Sequence, residues 1–149
     1  MGKIRKVLIV DNNATIVELI SAHLAAGGYE VAKAYDGLQA LDRLVESDQL
    51  PDVILLDLIM PRLDGERLTR FLKQDPVYAT IPVIILTGIA SEEEGAILAF
   101  GADAYIAKGR IENTMAHILE TFAWIESRSF WRWCTKNRIT RTGSAQSRS

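Results

Sequence analysis

The chain of 149 residues is long enough for one domain of ordinary size, and its hydrophobic content of 48% is sufficient for a buried core. Because the sequence contains no apolar run near the roughly 20 residues of a membrane span and no signal-peptide cleavage site, we expect a soluble, cytoplasmic protein. The single cysteine, Cys134, excludes an internal disulfide and a cysteine-based metal cluster.

The net charge of −2 is unevenly distributed along the chain. Residues 128–149 hold six bases and no acid, while residues 1–127 hold 11 bases and 19 acids, so the two parts carry +6 and −8. This division predicts a folded domain over 1–127 and a basic, flexible C-terminal tail over 128–149. Because the tail contains Phe130, Trp131 and Trp133, contact with membrane headgroups or nucleic acid is an alternative to a solvated extension.

Short apolar runs alternate with amphipathic segments along the chain. The runs predict strands at 7–10, 29–34, 53–57, 82–86 and 104–107. Helices are predicted to begin near residues 14, 36, 64, 91 and 111, from cap residues and from the helical spacing of apolar side chains. Such alternation predicts an α/β fold with a five-stranded parallel sheet that is doubly wound by helices.

Two helices have a predicted buried side. In the third helix, this side consists of Leu68, Phe71 and Leu72. In the last helix, it consists of Ile111, Met115, Ile118 or Leu119, Phe122 and Ile125.

Polar residues stand where the predicted strands end. Asp57 ends the central strand within the stretch PDVILLDLIMP, Asp11 and Asn12 follow the first strand, Thr87 follows the fourth and Lys108 follows the fifth. Ligand sites of open parallel sheets lie at the carboxyl ends of the strands, so these side chains are expected to converge. An aspartate that only caps a turn is the alternative interpretation of Asp57.

The converging groups suit the chemistry of phosphoryl transfer. Carboxylate and amide oxygens are ligands that Mg²⁺ prefers. The Thr87 hydroxyl and the Lys108 ammonium could each hold one oxygen of a phosphoryl group on Asp57. Asp57 would then be the nucleophile that forms an aspartyl phosphate, with charge neutralisation in place of a general base.

The segments LIVDN, PDVILLDLIMPRLDG, IPVIILTG and GADAYIAKG resemble the receiver domain of two-component response regulators, and the resemblance covers about residues 5–126. It implies a flavodoxin-like (βα)5 fold with strand order 2-1-3-4-5. It also implies that a histidine kinase or phosphotransfer protein phosphorylates Asp57 with Mg²⁺ as cofactor. The implied metal ligands are Asp11, Asn12, Asp57 and the backbone carbonyl of Ile59, and the implied switch residues are Thr87, Tyr105 and Lys108.

Two positions depart from the pattern of this family. Asn12 stands where a second acid is usual, so we expect weaker Mg²⁺ binding. Gly109 follows Lys108 where proline is usual, so we expect a trans peptide bond and a looser loop around Lys108. Both departures keep open a second hypothesis, a receiver-like interaction module that works without phosphate.

Other classes fit the sequence less well. A haloacid-dehalogenase-type phosphatase needs an aspartate at the position of Ile59, no P-loop motif occurs, and Asp11 would repel a flavin phosphate. We therefore expect a signalling phosphoacceptor rather than an enzyme, with at most self-catalysed phosphoryl transfer and dephosphorylation. Because the 23 residues after Glu126 are too few for a helix-turn-helix unit, the expected output partner is a protein and not nucleic acid, and the alternative is that this chain is a fragment of a longer protein. The sequence leaves the choice between a monomer and a homodimer open.

Overall fold

The computed structural model describes residues 3–58, 60, 63–88, 97 and 100–127. Within them, the strands are β1 (Lys6–Val10), β2 (Glu30–Ala34), β3 (Val53–Asp57), β4 (Val83–Thr87) and β5 (Ala104–Ala107). The helices are α1 (Ala14–Ala26), α2 (Gly37–Glu46), α3 (Gly65–Gln74) and α4 (Ile111–Glu126). The helix predicted to begin at Ser91, the carbonyl of Ile59 and the tail over 128–149 lie outside the described residues.

The five strands form one parallel sheet in the order β2-β1-β3-β4-β5, which confirms the predicted fold and strand order. Every residue of β3 and β4 is buried. Both strands are central and carry helices over both faces, which is why their sequences read as continuous apolar runs rather than as an alternation.

Alternate residues of each central strand enter two separate hydrophobic cores. In β3, Val53 and Leu55 pack with α1 and α4, whereas Ile54 and Leu56 pack on the opposite face with α2 and α3. This division follows from the two-residue period of a strand. On the first face, the ring of Phe122 meets that of Tyr29 edge to face, with ring centroids 5.5 Å apart.

Side chains cap the first three helices. Asp36 accepts a hydrogen bond from the Gln39 N–H at 2.8 Å, and the Gln39 side chain accepts one from the Tyr35 N–H at 2.9 Å. The predicted capping pair of α2 is therefore present, although the return bond reaches the residue before the cap. Asp64 caps α3 in the same way, through the Arg67 N–H at 2.9 Å.

The prediction that Phe71 is buried is wrong, because its side chain is 46% exposed. The buried face of α3 consists of Gly65, Leu68, Thr69 and Leu72. Phe71 lies at the margin of this face, and Thr69 occupies the position nearer its centre. Thr69 tolerates burial because its hydroxyl donates to the Gly65 carbonyl at 2.7 Å.

On α4, Ile118 is buried and Leu119 is 45% exposed, which decides between these two candidates for its buried side.

A buried ion pair holds the amino-terminal edge of the sheet, away from the polar strand ends. Lys73 Nζ lies 2.7 Å from Asp103 Oδ2 and donates to the Ile81 carbonyl at 2.8 Å. The same Asp103 oxygen accepts a hydrogen bond from the Val83 N–H. The pair therefore ties α3 to the beginnings of β4 and β5, and its charges serve the fold.

None of the helices in the described part of the chain combines the length and apolar content that crossing a bilayer requires.

Candidate functional site

Residues from four strands meet at the carboxyl edge of the sheet. Asp57 and Thr87 are the last residues of the neighbouring strands β3 and β4. Asp11 follows β1 directly, and Lys108 follows β5. This placement results from the parallel order of the strands, which brings all their carboxyl ends to one edge.

The Lys108 ammonium lies between two carboxylates. Its Nζ is 2.7 Å from Asp11 Oδ2 and 3.1 Å from Asp57 Oδ1. The side chain of Asp11 is 1% exposed, that of Asp57 is 11% exposed, and that of Lys108 is 25% exposed. Two carboxylates and one ammonium give this partly buried cluster a formal charge of −1, and charges interact more strongly there than in bulk water.

The turn after β1 holds Asp11 in place. The Asp11 N–H donates to the Ala34 carbonyl of β2 at 3.2 Å, and Asp11 Oδ1 accepts from the Asn13 N–H at 2.9 Å. The Asn13 side chain in turn accepts from the Thr15 and Ile16 N–H groups and caps α1. This role of Asn13 was not predicted from the sequence, although its position directly before a predicted helix is the signal for a cap.

The surroundings of Asp57 disfavour its ionised form. Burial raises the pKa of Asp57 above its usual value, the negative charge of Asp11 raises it further, and Lys108 only partly opposes these effects. Burial alone would lower the pKa of Lys108, but the negative charge of Asp11 at 2.7 Å, and then that of Asp57, outweigh it and raise that pKa. Lys108 is therefore charged at neutral pH, and added positive charge would stabilise the Asp57 carboxylate.

The structure places the remaining predicted residues as follows. Asn12 is exposed in the turn after Asp11. Thr87 is buried, and its carbonyl accepts the Lys108 N–H at 2.7 Å. Tyr105 is half-buried on β5 and packs against the core on the α2 and α3 side. The Ile59 carbonyl lies outside the described residues.

Gly65 brings α3 close to the turn after Asp57, a role that was not predicted from the sequence. The Gly65 N–H donates to the Leu58 carbonyl at 2.8 Å. A Cβ atom at Gly65 would lie 2.4 Å from the Asp57 carbonyl oxygen. Only glycine therefore permits this approach of the helix to the backbone of the turn.

The site offers a hard cation two carboxylates, those of Asp11 and Asp57, rather than three. Among the described residues, no group of three or more His, Cys, Asp or Glu side chains could hold a metal ion. Asp11 Oδ2 is buried and, despite its ion-pair distance to Lys108, forms no hydrogen bond of good geometry there. A buried oxygen of this kind beside a second carboxylate suits Mg²⁺, which prefers oxygen ligands and retains some of its waters.

The doubly wound parallel sheet, with acids and a lysine at its carboxyl edge, places the protein in the flavodoxin-like class of α/β folds. The sequence profile of the response regulator receiver domain matches residues 7–120. The chain therefore belongs to the receiver-domain family, whose members are signalling phosphoacceptors rather than classical enzymes.

Individual members of the family are similar to this chain. The phosphate regulon transcriptional regulatory protein PhoB of Pseudomonas aeruginosa is 42% identical over 106 residues, which are 70% of this chain and 45% of PhoB. The structure of the chemotaxis response regulator CheY4 of Vibrio cholerae has a TM-score of 0.72 and 30% identity, and the match covers 80% of this chain and 99% of CheY4.

A Mn²⁺-bound response regulator has a TM-score of 0.65 and 27% identity, over 85% of this chain and 94% of that one. The chain spans less than half the length of several curated relatives, with shares of 42%, 14% and 45% in three of them.

Proposed function

We propose that Asp57 accepts a phosphoryl group from a histidine kinase or phosphotransfer protein in the cytoplasm, and that phosphorylation alters a surface that a target protein recognises. The observation that carries this proposal is the position of the Lys108 ammonium, 2.7 Å from Asp11 Oδ2 and 3.1 Å from Asp57 Oδ1 at the carboxyl edge of the sheet.

Exposure favours Asp57 over Asp11 as the acceptor. The Asp57 side chain is 11% exposed, whereas that of Asp11 is 1% exposed, so a phosphoryl donor can reach Asp57 and not Asp11. Because the pKa of Asp57 is raised, positive charge from a bound cation would stabilise the ionised carboxylate that acts as the nucleophile.

The neighbouring side chains supply the remaining functions. The Lys108 ammonium offsets the charge of the phosphoryl oxygens, and the Thr87 hydroxyl donates to one of them. We assign the conformational switch to Thr87 and Tyr105, by analogy with the family. Their strands are paired, with Ile85 opposite Tyr105 and Thr87 opposite Ala107, so a movement at Thr87 can be transmitted to β5.

The residues that would hold Mg²⁺ are Asp11, Asn12, Asp57 and the carbonyl of Ile59. Support comes from the buried oxygen of Asp11 and from the similar response regulator whose structure contains Mn²⁺. When bound, the metal would supply positive charge to the phosphoryl oxygens.

Incubation with acetyl phosphate and Mg²⁺, followed by intact-protein mass spectrometry, tests the proposal. We expect the parent protein to gain the mass of one phosphoryl group and Asp57→Asn to gain none, because the amide cannot act as the nucleophile. Asp42→Asn, which removes an exposed carboxylate on α2, is the control and should be phosphorylated like the parent.

Two results would contradict the proposal. Full phosphorylation of Asp57→Asn would show that another residue is the acceptor. Absence of phosphorylation in the parent, with beryllofluoride also failing to bind, would instead favour an interaction module that works without phosphate, as the departures at Asn12 and Gly109 allow.

A further inference from the structure

The two peptide N–H groups on either side of the Lys108 Cα atom are both held by other elements. The Lys108 N–H donates to the Thr87 carbonyl of β4 at 2.7 Å. The next N–H along the chain, that of Gly109, donates to Thr114 Oγ1 at 3.1 Å. The backbone of Lys108 is therefore tied to the sheet on one side and to α4 on the other.

Thr114 is a rigid acceptor for the Gly109 N–H. It is 4% exposed, lies in the second turn of α4, and its own N–H donates to the Arg110 carbonyl at 2.9 Å. Its β-branched side chain has few rotamers, so the hydroxyl oxygen is fixed relative to the helix. Arg110 at the N-cap makes no side-chain capping bond, and the Thr114 hydroxyl links the start of α4 to the loop through the Gly109 N–H.

Gly109 is suited to this bond through its N–H rather than through its lack of a side chain. Its φ is not positive, and a Cβ atom there would meet no atom of the described residues within 4 Å. Neither strain nor crowding therefore requires glycine. A proline at this position would have no N–H to donate. The bond to Thr114 is a restraint that the prediction of a looser Lys108 loop did not include.

We propose that Thr114 is a positioning residue for the Lys108 ammonium. The ammonium must reach two carboxylates from the end of a flexible side chain, so its position depends on where the backbone holds the Cα atom. By fixing the peptide after Lys108, the Thr114 hydroxyl keeps Nζ within reach of both Asp11 and Asp57. This inference rests on the proposed function, because it assigns Lys108 a part in phosphoryl transfer.

Thr114→Val tests the inference, since valine keeps the shape of threonine and removes the acceptor oxygen. We expect faster amide hydrogen exchange at Gly109 and about a fivefold lower rate of phosphorylation by acetyl phosphate, the effect expected from losing one neutral hydrogen bond. Thr114→Ser restores the hydroxyl and should recover both properties. Circular dichroism at the assay temperature verifies that all variants are folded.

Thr121→Val is the matched control. Thr121 lies on the same helix, about two turns further along, and its hydroxyl donates to the His117 carbonyl at 2.7 Å. Its phosphorylation rate should equal that of the parent. An equally lowered rate in both valine variants would show a general effect of removing a threonine hydroxyl from α4 and would overturn the inference.

A measurement that does not depend on phosphorylation separates this inference from the proposed function. In the metal-free protein, the protons of the Lys108 ammonium, observed through its ¹⁵N signal, should exchange slowly with water in the parent and faster in Thr114→Val. Parental protection and a parental phosphorylation rate in Thr114→Val would overturn the inference. A parent that is not phosphorylated would overturn the proposed function, while the Lys108 signal would still decide the role of Thr114.

Discussion

At the scale of single residues, one amide in place of a carboxylate limits the negative charge of the proposed metal site. Asp11 and Asp57 provide two carboxylates, and the third predicted ligand position holds Asn12. Asn12→Asp should lower the Mg²⁺ dissociation constant about fivefold, because a carboxylate attracts Mg²⁺ more strongly than an amide does. Isothermal titration calorimetry measures this change.

The control for Asn12→Asp adds the same charge one residue further along the chain. Asn13→Asp retains an oxygen that can cap α1, so the helix should remain intact. It should tighten Mg²⁺ binding less than Asn12→Asp does. An unchanged dissociation constant in Asn12→Asp would remove position 12 from the set of metal ligands.

The raised pKa of Asp57 predicts a cost to stability at neutral pH. The folded protein binds the Asp57 proton more tightly than the unfolded chain does, so the contribution of this group to stability falls as pH rises from the usual value of 3.8 through the raised pKa. Asp57→Asn removes the charge and the cost. The metal-free variant should therefore be more stable than the parent at pH 7.

This advantage should shrink as the pH falls towards 3.8, where Asp57 is increasingly protonated in both folded and unfolded states. Urea unfolding of both proteins in a chelator, over a series of pH values, gives the difference in free energy of unfolding. A parent that is more stable than Asp57→Asn at pH 7 would show that the ion pair with Lys108 outweighs burial and the repulsion by Asp11.

At the scale of elements, the start of α3 is confined by the turn that follows β3. Gly65→Ala should destabilise the protein by about 2 kcal/mol, because the new Cβ would lie 2.4 Å from the Asp57 carbonyl oxygen and the helix would have to move. Helix propensity alone predicts the opposite sign, since alanine is favoured over glycine within helices. Urea unfolding measures the change.

Gly88→Ala is the matched control for Gly65→Ala. A Cβ atom at Gly88 would meet none of the described atoms within 4 Å, and its φ is not positive. Its free energy of unfolding should remain within about 0.5 kcal/mol of the parental value. Equal stability of Gly65→Ala and the parent would mean that α3 can withdraw from the turn at little cost.

At the scale of the whole molecule, the two hydrophobic cores of the described residues run from Ile4 to Ile125. A hydrogen bond also joins the segment before β1 to the end of α4, because the Glu126 carboxylate accepts from the Ile4 N–H at 2.7 Å. We therefore predict that residues 1–127 form a domain without the basic tail. The free energy of unfolding of a chain truncated after Ser127 should lie within about 0.5 kcal/mol of that of the full chain.

Urea unfolding and phosphorylation by acetyl phosphate together check the truncated chain. Its formal charge is −8 rather than −2, so it should also bind more strongly to an anion exchanger. A large loss of stability after truncation would show that the tail packs against the domain and would contradict the division at residue 127.

The sequence by itself determined the class of fold. The buried apolar runs of β3 and β4, the cap residues of α2 and α3, and the rhythm of strands and helices depend on neighbours within a few positions, so local patterns predict them. Even the presence of Asp57 and Lys108 at strand ends followed from these patterns.

Only the tertiary structure decided what the local patterns cannot contain. The distances from Lys108 to the two carboxylates, the Gly109 bond to Thr114 and the approach of Gly65 to the Asp57 backbone depend on where separate elements pack. Phe71 illustrates the same limit, since helical spacing predicts which side of a helix is apolar but not how far its partner covers that side. Packing between distant parts of the chain, and not periodicity, fixes these positions.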